Sequence, residues 1–132
     1  MKRFGLLAVL TNLMVFASLS EGRQPQGSQQ TVLRGWLSDE GCAGGRAHSG
    51  LYTGTNANCA KKCVREGKKV VLVDSDHKRL LTISNQNSAT ENVGDYVEIA
   101  GNLDEQAKTL HVTSMKLLEK GRAMCGVPKK KS

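Results

Sequence analysis

The chain has 132 residues, a net charge of +7, four cysteines and few aromatic side chains. That length allows one domain with a modest core. The excess charge lies mostly at the two ends. Between Glu21 and Pro128 the chain carries fourteen basic and twelve acidic residues, which removes the argument for a nucleic-acid surface.

The first twenty residues have the pattern of a secretory signal. Lys2 and Arg3 form a basic start, Gly5 to Phe16 an apolar run, and Ala17-Ser18-Leu19-Ser20 a small-residue cleavage site before Glu21. The apolar run is too short to span a bilayer comfortably, which takes about 20 residues. The expected location is therefore the periplasm or the cell exterior. Residues 21–30 (EGRQPQGSQQ) cannot bury apolar surface and are expected to form a flexible leader.

The β domain is expected over 31–118. Thr31 to Ser38 is the first strand, with Leu33, Gly35 and Leu37 on one face and Val32, Arg34, Trp36 and Ser38 on the other. Gly35 inside it suggests a bulge or bend. A Cys-rich segment follows over 39–67. Its first part, Asp39 to Ala57, holds five glycines and reads as a long loop, the kind that is functional or stapled in a compact domain. Asn58 then caps a short helix over Cys59 to Glu66, and Gly67 ends it. Lys69 to Asp74 and Arg79 to Ser84 form a hairpin, and Asn85 to Gly94 is a polar link with a helical turn at Ser88 to Asn92. Asp95 to Ala100 is a strand, Gly101 to Gln106 a turn, and Lys108 to Leu118 the last strand, with Leu110, Val112, Ser114 and Lys116 on one face. Residues 119–132 are a basic tail containing Cys125. The expected fold is mainly β: a small five-stranded OB-like barrel with one short helix carrying Cys59 and Cys63. A closed barrel suits five short strands because it leaves no exposed edge.

The series Gly35-Trp36-Leu37-Ser38-Asp39, Cys42, His48, Cys59-x-x-x-Cys63, a KVVLVD strand and a DYVEIAGNLD…KTLHVTSM ending resembles an uncharacterised family of small exported bacterial proteins. Its members carry a G-W-[IV]-S-D-x-x-C-G opening, a nearby His, a C-x-x-x-C helix and a V-x-V-x-G-x-L…I-x-V-x-S-I tail. The likeness runs from Gly35 to Met115 and implies export and fold, with no activity attached. This chain differs in having Ala43 where the pattern has Gly, a longer gap from Cys42 to His48, and the additional Cys125.

The cysteines carry whatever chemistry the chain has. In an oxidising compartment Cys42, Cys59, Cys63 and Cys125 are disulfide candidates. Cys59 and Cys63 lie one helical turn apart and point the same way, which strains a bridge between them, so one of the two is expected to bond Cys42. The other is left for Cys125 or stays free. The alternative is a zinc site of Cys42, His48, Cys59 and Cys63, although the spacing C-x₅-H-x₁₀-C-x₃-C matches no standard zinc pattern. A thiol redox centre is a third choice. Cys59 at a helix N-terminus beside Lys61 and Lys62 suits a thiolate, but the spacing is one residue longer than C-x-x-C.

Asp39 is expected to end the first strand and cap a turn. His77 falls in a hairpin turn and His111 in a strand, both near solvent. No nucleophile elbow, phosphate loop or haem-attachment motif is present in the sequence. Trp36 and Tyr96 are too few for a single-stranded nucleic-acid platform. Lys129, Lys130 and Lys131 offer a weak contact to an anionic surface. The expectation is a non-enzymatic exported module binding an unknown ligand, with no cofactor unless the zinc alternative holds.

Overall fold

A computed structural model describes residues 29–122. The expected signal, most of the leader, Cys125 and the three tail lysines lie outside them. Five strands form: β1 (Gln29–Asp39), β2 (Val70–Asp74), β3 (Arg79–Ile83), β4 (Tyr96–Asp104) and β5 (Thr109–Glu119). Two helices, α1 (Glu40–His48) and α2 (Ala57–Arg65), fill the connection between β1 and β2. Two single 3₁₀ turns, Gln86–Ser88 and Thr90–Asn92, lie between β3 and β4.

The strands close into a ring in the order β1-β2-β3-β5-β4. The closing strand is β1. Its first part, from Gln29 to Trp36, pairs antiparallel with β4, and its last part, from Trp36 to Asp39, pairs antiparallel with β2. The changeover falls next to Gly35. A Cβ there would collide with the Val73 carbonyl oxygen, so only glycine lets the two backbones approach. β3 and β5 join in parallel through Thr82–Thr109 and Ile83–Leu110, and the other pairs are antiparallel.

The core lies inside the ring. Leu33 and Leu37 of β1, Leu72 of β2, Leu81 and Ile83 of β3, Val97 and Ile99 of β4 and Leu110 of β5 meet there. These are the alternate positions of their strands, as the period-2 pattern requires. Ala60 of α2 is buried in the same cluster and Val64 packs against it. A second, smaller cluster sits under α1, where Ala43 meets Val71 and Val73 of β2, with Trp36, Tyr52 and Leu80 around them.

Four expectations need correction. The 39–57 segment is not a simple loop, because its first nine residues form α1, so there are two helices rather than one. α2 begins two residues early: Asn56, not Asn58, accepts from the amides of Asn58 and Cys59. Its C-terminus is as expected. Gly67 has φ +100°, and the Gly67 and Lys68 amides donate to the Val64 and Cys63 carbonyls. β4 does not stop at Ala100 but passes through Gly101 to Asp104, with a register shift against β5. Ala100 pairs with Ser114 and Gly101 with Val112, so Thr113 is the extra residue. That bulge reverses the facing of β5 beyond it, and Met115, not Ser114, turns toward the core.

Candidate functional site

Asp39 ends β1 and is the N-cap of α1. Its Oδ1 accepts from the Gly41 amide at 3.0 Å and the Cys42 amide at 2.9 Å. This cap opposes the cost of Gly41, Gly44 and Gly45 within the helix, each about 1 kcal/mol worse than alanine. Glu40 adds a second tie, since its Oε1 accepts from the Lys69 amide at 3.1 Å. The cap also puts the Asp39 side chain over the turn that carries Cys42, three residues on.

α2 brings the third group. Asp39, Cys42 and Cys63 form a cluster in which one carboxylate oxygen and the two sulfurs all lie within 4.8 Å of one another. Asp39 is fully buried, and Cys42 and Cys63 are half-buried. The Asp39 Oδ2 is buried without a hydrogen-bond partner. No ion pair reaches this carboxylate among the described residues. Buried charge is costly unless paired, so an orphaned carboxylate oxygen stands out.

The Cys42 thiol responds to this setting. Burial pushes its pKa up, and the Asp39 carboxylate and then Cys63 add to the rise, to about 11. At neutral pH it is a protonated thiol, and a poor nucleophile.

Of the three described cysteines, the structure brings Cys42 and Cys63 together, near each other but unbonded. Cys59 is exposed and outside the cluster, and His48, at the end of α1, is exposed and outside it too. The expected set of Cys42, His48, Cys59 and Cys63 is thus not brought together; Cys42 and Cys63 meet Asp39 instead. Sequence reasoning saw Asp39 only as a cap. The missed signal was its spacing: in D-x-x-C at the start of a helix, the N-cap side chain and the third helical residue face each other. That spacing could be used only if α1 had been recognised as a helix.

A groove of about 430 Å³ runs between the two helices, lined by Cys42, Arg46, Leu51, Thr55 and Cys59 among others. Leu51 is half exposed there. Arg46 donates to the Thr53 hydroxyl at 2.5 Å, and Thr55 shares a buried 2.5 Å hydroxyl contact with Ser38. Comparison with family models, curated proteins and solved structures finds no match to this chain.

Proposed function

We propose that this chain is a small exported binding module of OB-like fold, in which Cys42 and Cys63 close to a disulfide that fixes the groove between α1 and α2. The observation that carries it is the meeting of two sulfurs from separate helices in one cluster. The ring order β1-β2-β3-β5-β4 and the long β1 shared between β2 and β4 support the OB-like description. In such barrels the connection between the first two strands is a usual binding element, and here that connection holds both helices and the groove. Export rests on the basic start, apolar run and cleavage pattern of residues 1–20, and on the resemblance from Gly35 to Met115.

Closure needs an oxidant of the disulfide-exchange class, which an oxidising compartment supplies. Both thiols lose their protons, two electrons pass to the oxidant, and one sulfur–sulfur bond forms. The bridge would stabilise the fold by about 3 kcal/mol, since it closes a loop of moderate length. The test is intact mass with alkylation on protein recovered after export, followed by peptide mapping. The expected result is a loss of about two mass units, assigned to Cys42 linked to Cys63. A chain that alkylates at both positions after denaturation would overturn the proposal. Cys63→Ser should also lower the melting temperature of the oxidised protein but not that of the reduced one.

A further inference from the structure

The same corner of the fold has a second capacity when its sulfurs are reduced. We infer that Asp39, Cys42 and Cys63 form a binding site for a borderline-soft divalent cation of the zinc type, open on one side. This rests on the pairing of Cys42 with Cys63 proposed above and concerns its reduced form.

Three observations carry it. The donor atoms lie within 4.8 Å of one another. Around a tetrahedral zinc ion with bonds of about 2.3 Å, two sulfurs stand about 3.8 Å apart, so no sulfur–sulfur gap here has to shrink by more than about 1 Å. Second, the buried Asp39 has one oxygen, Oδ1, engaged with the Gly41 and Cys42 amides, while the other, Oδ2, has no partner. A ligating carboxylate held through its second oxygen has this arrangement, because the cap orients the group and leaves one lone-pair set free. Third, the three donors come from structure fixed by other bonds: the end of β1, the first turn of α1 and the last turns of α2.

The donor set selects the cation. Two thiolates, formed as the incoming dication displaces both thiol protons to solvent, favour zinc or its relatives over calcium and magnesium, which take oxygen ligands. Three protein ligands leave a fourth position. Cys42 also lines the α1–α2 groove, which gives an ion or a small ligand access to that position.

Oxidation and metal binding compete for the same sulfurs. When a disulfide-exchange oxidant takes two electrons from the pair, the sulfur–sulfur bond forms, both thiolate ligands vanish and the dication leaves. The module would hold the ion only while reduced.

The experiment uses the full chain carrying Cys59→Ser and Cys125→Ser, so that Cys42 and Cys63 are its only thiols. The reduced protein is titrated with zinc against a chromophoric chelator, and with cobalt(II), whose visible spectrum reports tetrahedral thiolate ligation. One ion per chain, a thiolate-type cobalt spectrum and release on oxidation are expected. Asp39→Asn keeps a good N-cap acceptor but removes the carboxylate, and should weaken zinc binding at least tenfold while leaving disulfide formation intact. Absence of stoichiometric binding by the reduced parent would overturn the inference even where the Cys42–Cys63 disulfide forms. So would equal zinc affinity in Asp39→Asn. Failure of the pair to oxidise, with zinc still bound, would sink the disulfide proposal and leave the cation site standing. The cobalt spectrum of the parent is an independent check that does not depend on how the Asp39 variant folds.

Discussion

Asp39 and Asp74 end the neighbouring strands β1 and β2, at opposite ends of the pair, and both are fully buried, yet their surroundings differ. Asp74 lies at the base of the β2–β3 hairpin. Its Oδ2 meets Arg79 Nε at 2.9 Å and His77 Nδ1 at 2.8 Å, and its Oδ1 accepts from the His77 amide at 3.2 Å. Arg79 in turn holds Glu105 on the β4–β5 turn. Burial alone would raise the Asp74 pKa, but the bonds from Arg79 and His77 outweigh it and hold the carboxyl below its usual range. Asp95, also buried, follows the same rule through Lys120 at 2.8 Å and the Gly121 amide at 2.9 Å. Asp39 has two amides on one oxygen and no nitrogen or hydroxyl donor on the other, with the Cys42 thiol beside the carboxylate. Hairpin carboxylates are neutralised by the fold itself, whereas the corner carboxylate is left with capacity to spare. On the cation-site proposal, the difference separates a structural charge from a ligating one.

The largest expected effect is at the hairpin. Asp74→Ala leaves Arg79 and His77 without their shared partner and should cost about 3 kcal/mol in denaturant unfolding. Asp95→Ala should cost less, about 1–2 kcal/mol, because its partner Lys120 is mostly exposed. A loss at Asp95 equal to that at Asp74 would break the ranking by partner burial.

The two regions should also part company in their pH dependence. Asp74 and Asp95 have folded pKa values below their unfolded ones. Their contribution is therefore complete above the unfolded carboxylate value of about 4 and is lost as pH falls through the lower folded values. Asp74→Asn should flatten that acid limb. Cys42 works in the opposite sense. Its folded pKa is raised from 9.0 to about 11, so the native state keeps the proton longer. Stability of the reduced protein should be full below pH 9.0 and fall between there and about 11. Cys42→Ser should remove this alkaline limb in thermal melts followed across that range, and an unchanged limb would mean that another group causes it.

The smallest effect belongs to Asp39→Asn. The cap survives and no ion pair is lost, so stability of the metal-free reduced protein should change by about 0.5 kcal/mol or less. A cost near that of Asp74→Ala would show that the second oxygen already has a structural partner, and the contrast between the two carboxylates would fall.

How well the sequence spoke depended on which interactions decided each element. The five strands were legible because period-2 alternation is written in consecutive residues, as in Val97-Glu98-Ile99 with its two buried ends. Gly67 marked the end of α2 for the same local reason. α1 was not legible. With Gly41, Gly44 and Gly45 in nine residues it has poor intrinsic propensity, and it forms because Asp39 caps it and Ala43 packs on Val71 and Val73, which are far away in sequence. The bulge at Thr113 was hidden as well, since its extra residue is defined only against β4.

The sequence by itself determined that the molecule is mainly β and that Asp39 would cap what followed it. Those features depend on residue type and short-range spacing. Only the tertiary structure decided that Cys42 meets Cys63 rather than Cys59, that His48 stays apart, and that the buried Asp39 carboxylate joins the pair. Each of these depends on how α2 seats its Ala60 and Val64 on the ring, which fixes the rotation of the helix and with it the direction of every cysteine it carries.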